Sequence, residues 1–389
     1  MRLTVLLLAA ALATTACGGT DDTTTPSTTA PPAPRWTTVT GLPQDRLTTV
    51  EGGAGWDKGF VLAGSHTVPA APNDRGRVND IVTDIHTSPD GKTWAPATLD
   101  DITNSAHQTP VAGYRDAVYV LGATPTGAAV WRSHDGTTWS KTPLPRSKPG
   151  EALTAVAAGP RGIVAVGFGR PLAVLDNDDI DNRDHDSLRV WHSTDGTTFT
   201  GPTKIKAPGL YNGYLPDVTA RPDGFTIFGV NKNTPDPILF SSTDGTDWTA
   251  DDPRSLTGRP AALTHTDDLT VTFTDRTTTD DDDRRPTVWR RTTGDWTASH
   301  DISVGKLPDT NVDTPDHQYI RHVTNWHGWF IATGTSGSAG GVWLSRDAEH
   351  WERVPVKENA LDTTGSLRVL TNDSTVVLAG DGPKLWTSA

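Results

Sequence analysis

Two stretches of this sequence concentrate carboxylates. One holds Asp176, Asp178, Asp179, Asp181, Asp184 and Asp186 among Asn and Ile residues, and the other runs from Asp280 to Asp283 ahead of Arg284 and Arg285. Oxygen-rich clusters suit Ca²⁺, which takes about six to eight oxygen ligands. Neither stretch has the ligand spacing, the Gly or the closing Glu of an EF-hand loop, so a solvated charge run is the plainer reading of both. No cofactor is expected, and Ca²⁺ is the one ion these runs would suit. Tyr211, Tyr214 and Tyr319 offer phenols. His317, His322 and His327 lie close in sequence at no HExxH-like spacing, so they read as surface or core residues. Glu is scarce beyond residue 35, with Glu51, Glu151, Glu349, Glu352 and Glu358. Cys17 is the only cysteine, which leaves no disulfide, no Cys-based zinc site and no CxxC within the chain. The sequence contains no GxSxG, P-loop or dinucleotide-binding glycine pattern. With 34 Lys+Arg against 47 Asp+Glu the net charge is −13, which argues against a nucleic-acid partner.

The elements that must position these groups come from a repeat. Ser88-Pro89-Asp90-Gly91-Lys92-Thr93-Trp94 returns as Ser133-His134-Asp135-Gly136-Thr137-Thr138-Trp139. It returns again as Ser193-Thr194-Asp195-Gly196-Thr197-Thr198-Phe199 and as Ser242-Thr243-Asp244-Gly245-Thr246-Asp247-Trp248. Two weaker copies follow, Arg291 to Trp296 and Ser345-Arg346-Asp347-Ala348-Glu349-His350-Trp351. Asp-Gly between two strands is a hairpin signal, because Gly accepts the positive φ of the turn. The Asp carboxylate and Ser hydroxyl can accept backbone N–H bonds inside it. A short alternating run precedes each copy, for example Val130-Trp131-Arg132 and Val190-Trp191-His192, and two more strand-like runs precede each of those. Eleven of the fourteen Trp fall at two fixed positions of this unit, which marks them as core rather than ligand-stacking residues; Trp56, Trp326 and Trp329 lie off the pattern.

The unit is therefore four short strands in about 50 residues, and there are seven units. The seventh incoming run, Leu385 to Ser388, has no outgoing strand after it, and Arg35-Trp36-Thr37-Thr38-Val39 matches the missing strand. This is a circle cut inside one repeat. It predicts an all-β, seven-bladed β-propeller over residues 36–389, closed by an N-terminal strand that completes the last blade.

The repeat resembles the Asp-box, or BNR, repeat of sialidase-like propellers, with one difference. The common form is Ser-x-Asp-x-Gly-x-Thr-Trp, and here Gly follows Asp directly. The resemblance implies that Ser88, Asp90, Gly91 and Trp94, and their counterparts at Ser133, Asp135, Gly136, Trp139, Ser193, Asp195, Gly196, Phe199, Ser242, Asp244, Gly245, Trp248, Asp347 and Trp351, are structural and lie at the blade periphery. Within that superfamily stand glycoside hydrolases and also non-catalytic binding proteins.

The strand map sorts the connections onto two faces. The turns inside the first and third hairpins of each unit are short. The stretches Ser65–Asp80, Gly169–Asp186, Thr277–Arg285, Lys204–Pro216 and Val304–Gln318 are long and irregular, and all fall on the other face, around the channel mouth. Loops on a rigid scaffold carry function, so this face is the candidate binding surface, with the six Asp of residues 176–186 and Tyr211, Tyr214 and Tyr319 on it. Two function classes follow. The first is a non-catalytic propeller that binds a protein or cell-wall glycan, its acidic surface favouring a cationic partner. The second is a glycoside hydrolase. A sialidase resemblance implies an Arg trio, a Tyr–Glu pair and an Asp acid/base. The Arg-Ile-Pro motif is absent, no Glu lies near the three Tyr in sequence, and seven units exceed the six blades of that family. The binding reading is therefore preferred, with no catalytic residue assigned, and the chain is expected to be a monomer.

The N-terminus reads as an address. Arg2, the apolar run Leu3 to Leu12 and small residues up to Cys17 form a secretory signal over residues 1–16. Ala16-Cys17 resembles a bacterial lipobox, with Thr14 where that motif usually has Leu. This implies cleavage before Cys17, lipidation of its thiol, and anchoring on the extracellular face of the cytoplasmic membrane. The alternative is an ordinary signal peptide with an incidental cysteine. The rest of residues 17–35 is Thr/Pro-rich, with no apolar side chain larger than Ala, and reads as a flexible tether.

Overall fold

The computed structural model describes residues 32–42, 46–70, 79–103, 109–168, 187–207, 216–231, 236–253, 255–275, 286–299, 302, 318–336, 339–355, 361, 365–382 and 384–388. The chain divides into two units, Met1–Pro32 and Ala33–Ala389. All that follows concerns the second. Its described residues are strands and turns, without a helix.

Strand β1 is Trp36–Val39. The first blade holds β2 (Thr49–Trp56), β3 (Gly59–Pro69), β4 (Asn79–Ser88) and β5 (Ala95–Ala97). The second holds β6 (Val111–Tyr114), β7 (Ala117–Thr124), β8 (Gly127–Ser133) and β9 (Trp139–Pro143). The third holds β10 (Leu153–Gly159), β11 (Gly162–Gly167), β12 (Ser187–Ser193) and β13 (Thr200–Lys206). The fourth holds β14 (Asp217–Arg221), β15 (Gly224–Val230), β16 (Pro237–Ser242) and β17 (Thr249–Asp251). The fifth holds β18 (Arg259–His265), β19 (Thr270–Asp275), β20 (Pro286–Arg291) and β21 (Thr297–Ser299). The sixth holds β22 (Gln318–Trp326), β23 (Trp329–Ser336), β24 (Ala339–Ser345) and β25 (Glu352–Arg353). The seventh takes β26 (Leu367–Thr371), β27 (Val376–Gly380) and β28 (Lys384–Ser388) from one end of the chain and β1 from the other. Each blade is a four-stranded antiparallel meander, and β1 pairs β28 with Trp36 opposite Ser388 and Val39 opposite Leu385. The chain is thus a seven-bladed β-propeller, cut inside its last blade.

Among the described residues no strand of one sheet pairs with a strand of the next. Side chains join them instead. Seven buried apolar clusters each span two neighbouring blades, and one, with Leu62, Leu370, Val377 and Leu385, joins the seventh blade to the first. Ring closure is therefore hydrophobic packing between sheets, supported by the β1–β28 ladder. Trp131, Trp191, Trp343 and Trp386 on the third strands are all buried. Trp131 and Trp191 donate their indole N–H to the carbonyls of Asp100 and Pro145, which pins the preceding inter-blade link. Trp139 and Trp248 are half-buried.

The Asp-Gly turns repeat one hydrogen-bond set. Ser88 Oγ accepts from Gly91 N at 2.8 Å and donates to Asp90 Oδ1, which also accepts from Lys92 N and Thr93 N at 2.8 and 2.7 Å. Asp135, Asp195 and Asp244 accept the same two N–H bonds. Asp347 does so as well, although Ala348 replaces Gly at φ +57°. Each turn also leans on the blade before it. A Cβ on Gly136, Gly196 or Gly245 would meet Trp56, Tyr119 or His192. Trp94 and Trp248 close over their turns, donating to Gly91 O and Gly245 O.

The long connections are shorter than the sequence suggests. Within Ser65–Asp80, β3 continues to Pro69 and β4 begins at Asn79, with Ser65 opposite Thr83 and Pro69 opposite Asn79. The polar residues there hid the strand. His66 Nδ1 meets Asp84 Oδ2 at 2.6 Å and Asp84 also accepts from Leu47 N, so buried polar groups replace the apolar alternation. Likewise Lys204 to Lys206 belong to β13, and Gln318 opens β22.

Candidate functional site

The seven innermost strands, β2, β6, β10, β14, β18, β22 and β26, all start at the face that carries the inter-blade links. Their first residues line a cavity of about 550 Å³ at that end of the channel. A second cavity of about 360 Å³ continues from it, walled by small residues such as Gly53, Gly55, Gly113, Ala157 and Ala220. The two share Asp217, Arg321, His322 and Arg368. A belt of charge therefore sits at the waist of the channel, between a mouth and a narrow-walled lower half.

Backbone pairing places these four. Asp217 opens β14, Arg321 and His322 sit at an irregularity in the β22–β23 ladder between Ile320 and His322, and Arg368 is the second residue of β26. Arg368 Nη2 donates to the carbonyl of Glu51 at 2.6 Å, and its Nε has no partner. Burial pulls its pKa below the ordinary arginine value, while the charges of Asp217, Asp381 and Glu51 push it back up. Asp217 is open to the lumen yet ringed by blades, so it is accessible and desolvated together. That enclosure raises its pKa, against the opposing pull of the Val218 N–H at 2.7 Å and of Arg368. His322 is held well below its ordinary pKa, first by burial and then by the charges of Arg368 and Arg321, so it is neutral. Arg321 is exposed to the channel, and its guanidinium lies 5.3 Å from the Tyr319 ring centroid, within cation–π range.

Other charges around the mouth are engaged. Glu51 accepts from Ser65 Oγ at 2.6 Å and Thr109 Oγ1 at 3.2 Å. Glu151 and Arg189 form a buried pair at 2.5 Å, with Arg189 also donating to Arg146 O; this fixes the link between the second and third blades. Arg259 and Asp275 line the same cavity and have partners of their own.

Of the residues the sequence put on the binding face, Tyr319 is half-buried on β22 beside Arg321 and lines neither cavity. Asp176, Asp178, Asp179, Asp181, Asp184, Asp186, Tyr211, Tyr214, the Asp280–Asp283 run and Cys17 lie outside the described residues. Among the described residues no group of three His, Cys, Asp or Glu is placed to hold a metal. Glu349 pairs with Arg290 at 2.8 Å beside the Asp347 turn, away from the channel mouth. Sequence reasoning missed the belt. Its only signal is that the innermost strands place Glu51, Asp217, Arg259, Arg321 and Arg368 at or near their starts, whereas those of the second and third blades begin apolar or small.

No family model and no curated protein matches the sequence. Solved structures match it in shape. An acylaminoacyl peptidase of Pyrococcus horikoshii aligns over 89% of this chain with a TM-score of 0.54 at 8% identity. This chain spans 52% of that peptidase, about half its length. A protein from Lactobacillus plantarum aligns over 82% of this chain and 86% of its own, with a TM-score of 0.49 at 10% identity. A Hadza microbial sialidase aligns over 70% of this chain and 63% of its own, with a TM-score of 0.43 at 13% identity. At such identities the first of these likenesses is one of fold.

Proposed function

We propose that this chain is a surface-tethered, non-catalytic propeller that binds a ligand bearing an acidic group in the mouth of its central channel. The observation that supports this reading is Arg321 and Arg368 on neighbouring innermost strands, enclosed by the ring, with no ion pair to either among the described residues. An arginine in a desolvated concavity is a ready partner for a carboxylate or phosphate oxygen. The lipid anchor inferred at Cys17 would tether the chain to a membrane surface. The repeat turns have a structural part in this reading, as an Asp-box-like device that sets the blades.

A hydrolase of acidic sugars is the second reading. Arg259, Arg321 and Arg368 all line one channel, which favours it. Against it, the one Glu lining the mouth among the described residues, Glu51, has both carboxylate oxygens committed to hydroxyls.

Calorimetry of the full chain with butyrate, succinate and inorganic phosphate tests the first reading, alongside turnover assays with methylumbelliferyl glycosides. Saturable binding that Arg321→Ala weakens at least tenfold, with no turnover, is the expected result. Binding unchanged in Arg321→Ala would remove the site, and turnover lost in the same variant would move the protein to the hydrolase reading.

A further inference from the structure

Elsewhere in this fold opposite charges meet. Arg189 reaches Glu151, Arg291 reaches Asp251 at 2.8 Å, and Arg290 reaches Glu349 at 2.8 Å. At the waist of the channel they do not. Asp217 and Arg368 lie close enough for each to alter the other's protonation, yet no ion pair joins them, and none joins Asp217 to Arg321. Each is tied to its own wall. The Asp217 carboxylate accepts from the N–H of Val218, and the Arg368 guanidinium donates to the carbonyl of Glu51 on the neighbouring innermost strand. The fifth blade stands between the fourth, which carries Asp217, and the sixth, which carries Arg321. At the waist, beyond the Glu51, Arg259 and Asp275 of the mouth, the ring holds one carboxyl and two guanidinium groups around a common lumen and keeps them apart.

Such an arrangement discriminates by sign. A simple anion at Arg321 and Arg368 would face the Asp217 carboxylate, and a simple cation at Asp217 would face two arginines. A molecule carrying both signs satisfies both walls at once, and in an enclosed site each contact is worth more than in bulk water. Neutral His322, beside both arginines, adds a ring that can donate to or accept from the same ligand. The geometry points to a small zwitterion as the ligand of this channel, its carboxylate on Arg321 and Arg368 and its ammonium on Asp217, as in an amino acid or a short ω-amino acid. This rests on the anion-binding reading above and narrows it.

The test is isothermal titration of the full chain at neutral pH with glycine, β-alanine, γ-aminobutyrate and ε-aminocaproate, against butyrate and butylamine as single-charge controls. One member of the zwitterion series should bind at least about tenfold tighter than either control. Asp217→Asn should erase that advantage while leaving butyrate bound at least as tightly as before. Asp217→Glu should shift the preferred chain length toward the shorter members, a readout that a purely structural Asp217 would not move. If butyrate binds as tightly as every zwitterion, the zwitterion inference falls and the anion-binding reading stands. If neither butyrate nor any zwitterion binds, both fall.

Discussion

The shifted histidines of this molecule, His86, His265 and His322, are tuned by burial more than by partners. His265 shows the effect away from the channel waist. Its Nδ1 lies 2.9 Å from Thr270 Oγ1, and burial, followed by the nearby charges of Arg221 and Arg291, lowers its pKa to about 3. The unfolded chain takes up a proton there near the ordinary value of 6.5, whereas the folded chain does not until about pH 3. Its contribution to stability is therefore complete above the unfolded value and is lost as pH falls through that window. His265→Gln, which can keep the bond to Thr270, should flatten the pH dependence of unfolding between those limits by up to about one proton. Urea melts at several pH values read this directly, and an unchanged slope would mean that His265 is already protonated in the folded state.

At the scale of the element, the Asp-Gly turn is both a hairpin and a wedge between blades. Two glycines separate those roles. Gly245 has φ +79°, and a Cβ there would lie 2.4 Å from His192 Cδ2; Gly294 has φ +75° and nothing near it. Gly294→Ala should lose only the backbone term, about 1 kcal/mol. Gly245→Ala should lose that and the displacement of the imidazole, about 2–4 kcal/mol in all. Equal losses in urea denaturation would show that the imidazole gives way freely. These turns were legible in the sequence because every bond in them spans two or three residues. The charge belt was not, because Asp217, Arg321 and Arg368 are brought together only by the ring and share no local pattern. The longer β3–β4 hairpin was hidden for a third reason. His66 and Asp84 satisfy one another inside it, so polar residues occupy strand positions where an apolar alternation was sought.

Across the whole molecule, seven sheets with no strand ladder between them among the described residues depend on side chains to hold the ring, and on one short strand to finish the last sheet. The cut-circle pattern was legible because the missing strand carries its Trp with it. Trp36 is 5% exposed and packs with Trp386, Leu367 and Val376. Trp36→Ala should cost about 3–5 kcal/mol, as for other buried Trp truncations, and lower the melting temperature of the whole ring rather than of one blade. A single cooperative transition at reduced temperature is expected in calorimetry. A loss below about 1 kcal/mol would mean that β28 is secured without its outer neighbour.

That seam also sets an order of events in time. Thr37 and Thr387, joined by a hydrogen bond, are 350 positions apart. Six blades can form from contacts between near neighbours while synthesis is still under way. The seventh cannot, since β1 must wait for Lys384–Ser388 to emerge. Bringing such distant segments together carries a chain-length penalty on the order of 5 kcal/mol. The penalty falls once earlier blades have stacked and drawn the two ends near. Closure is then the last step, and until it happens Trp36 and the edge of β28 are both exposed, an interval in which a chaperone or a protease would find its target.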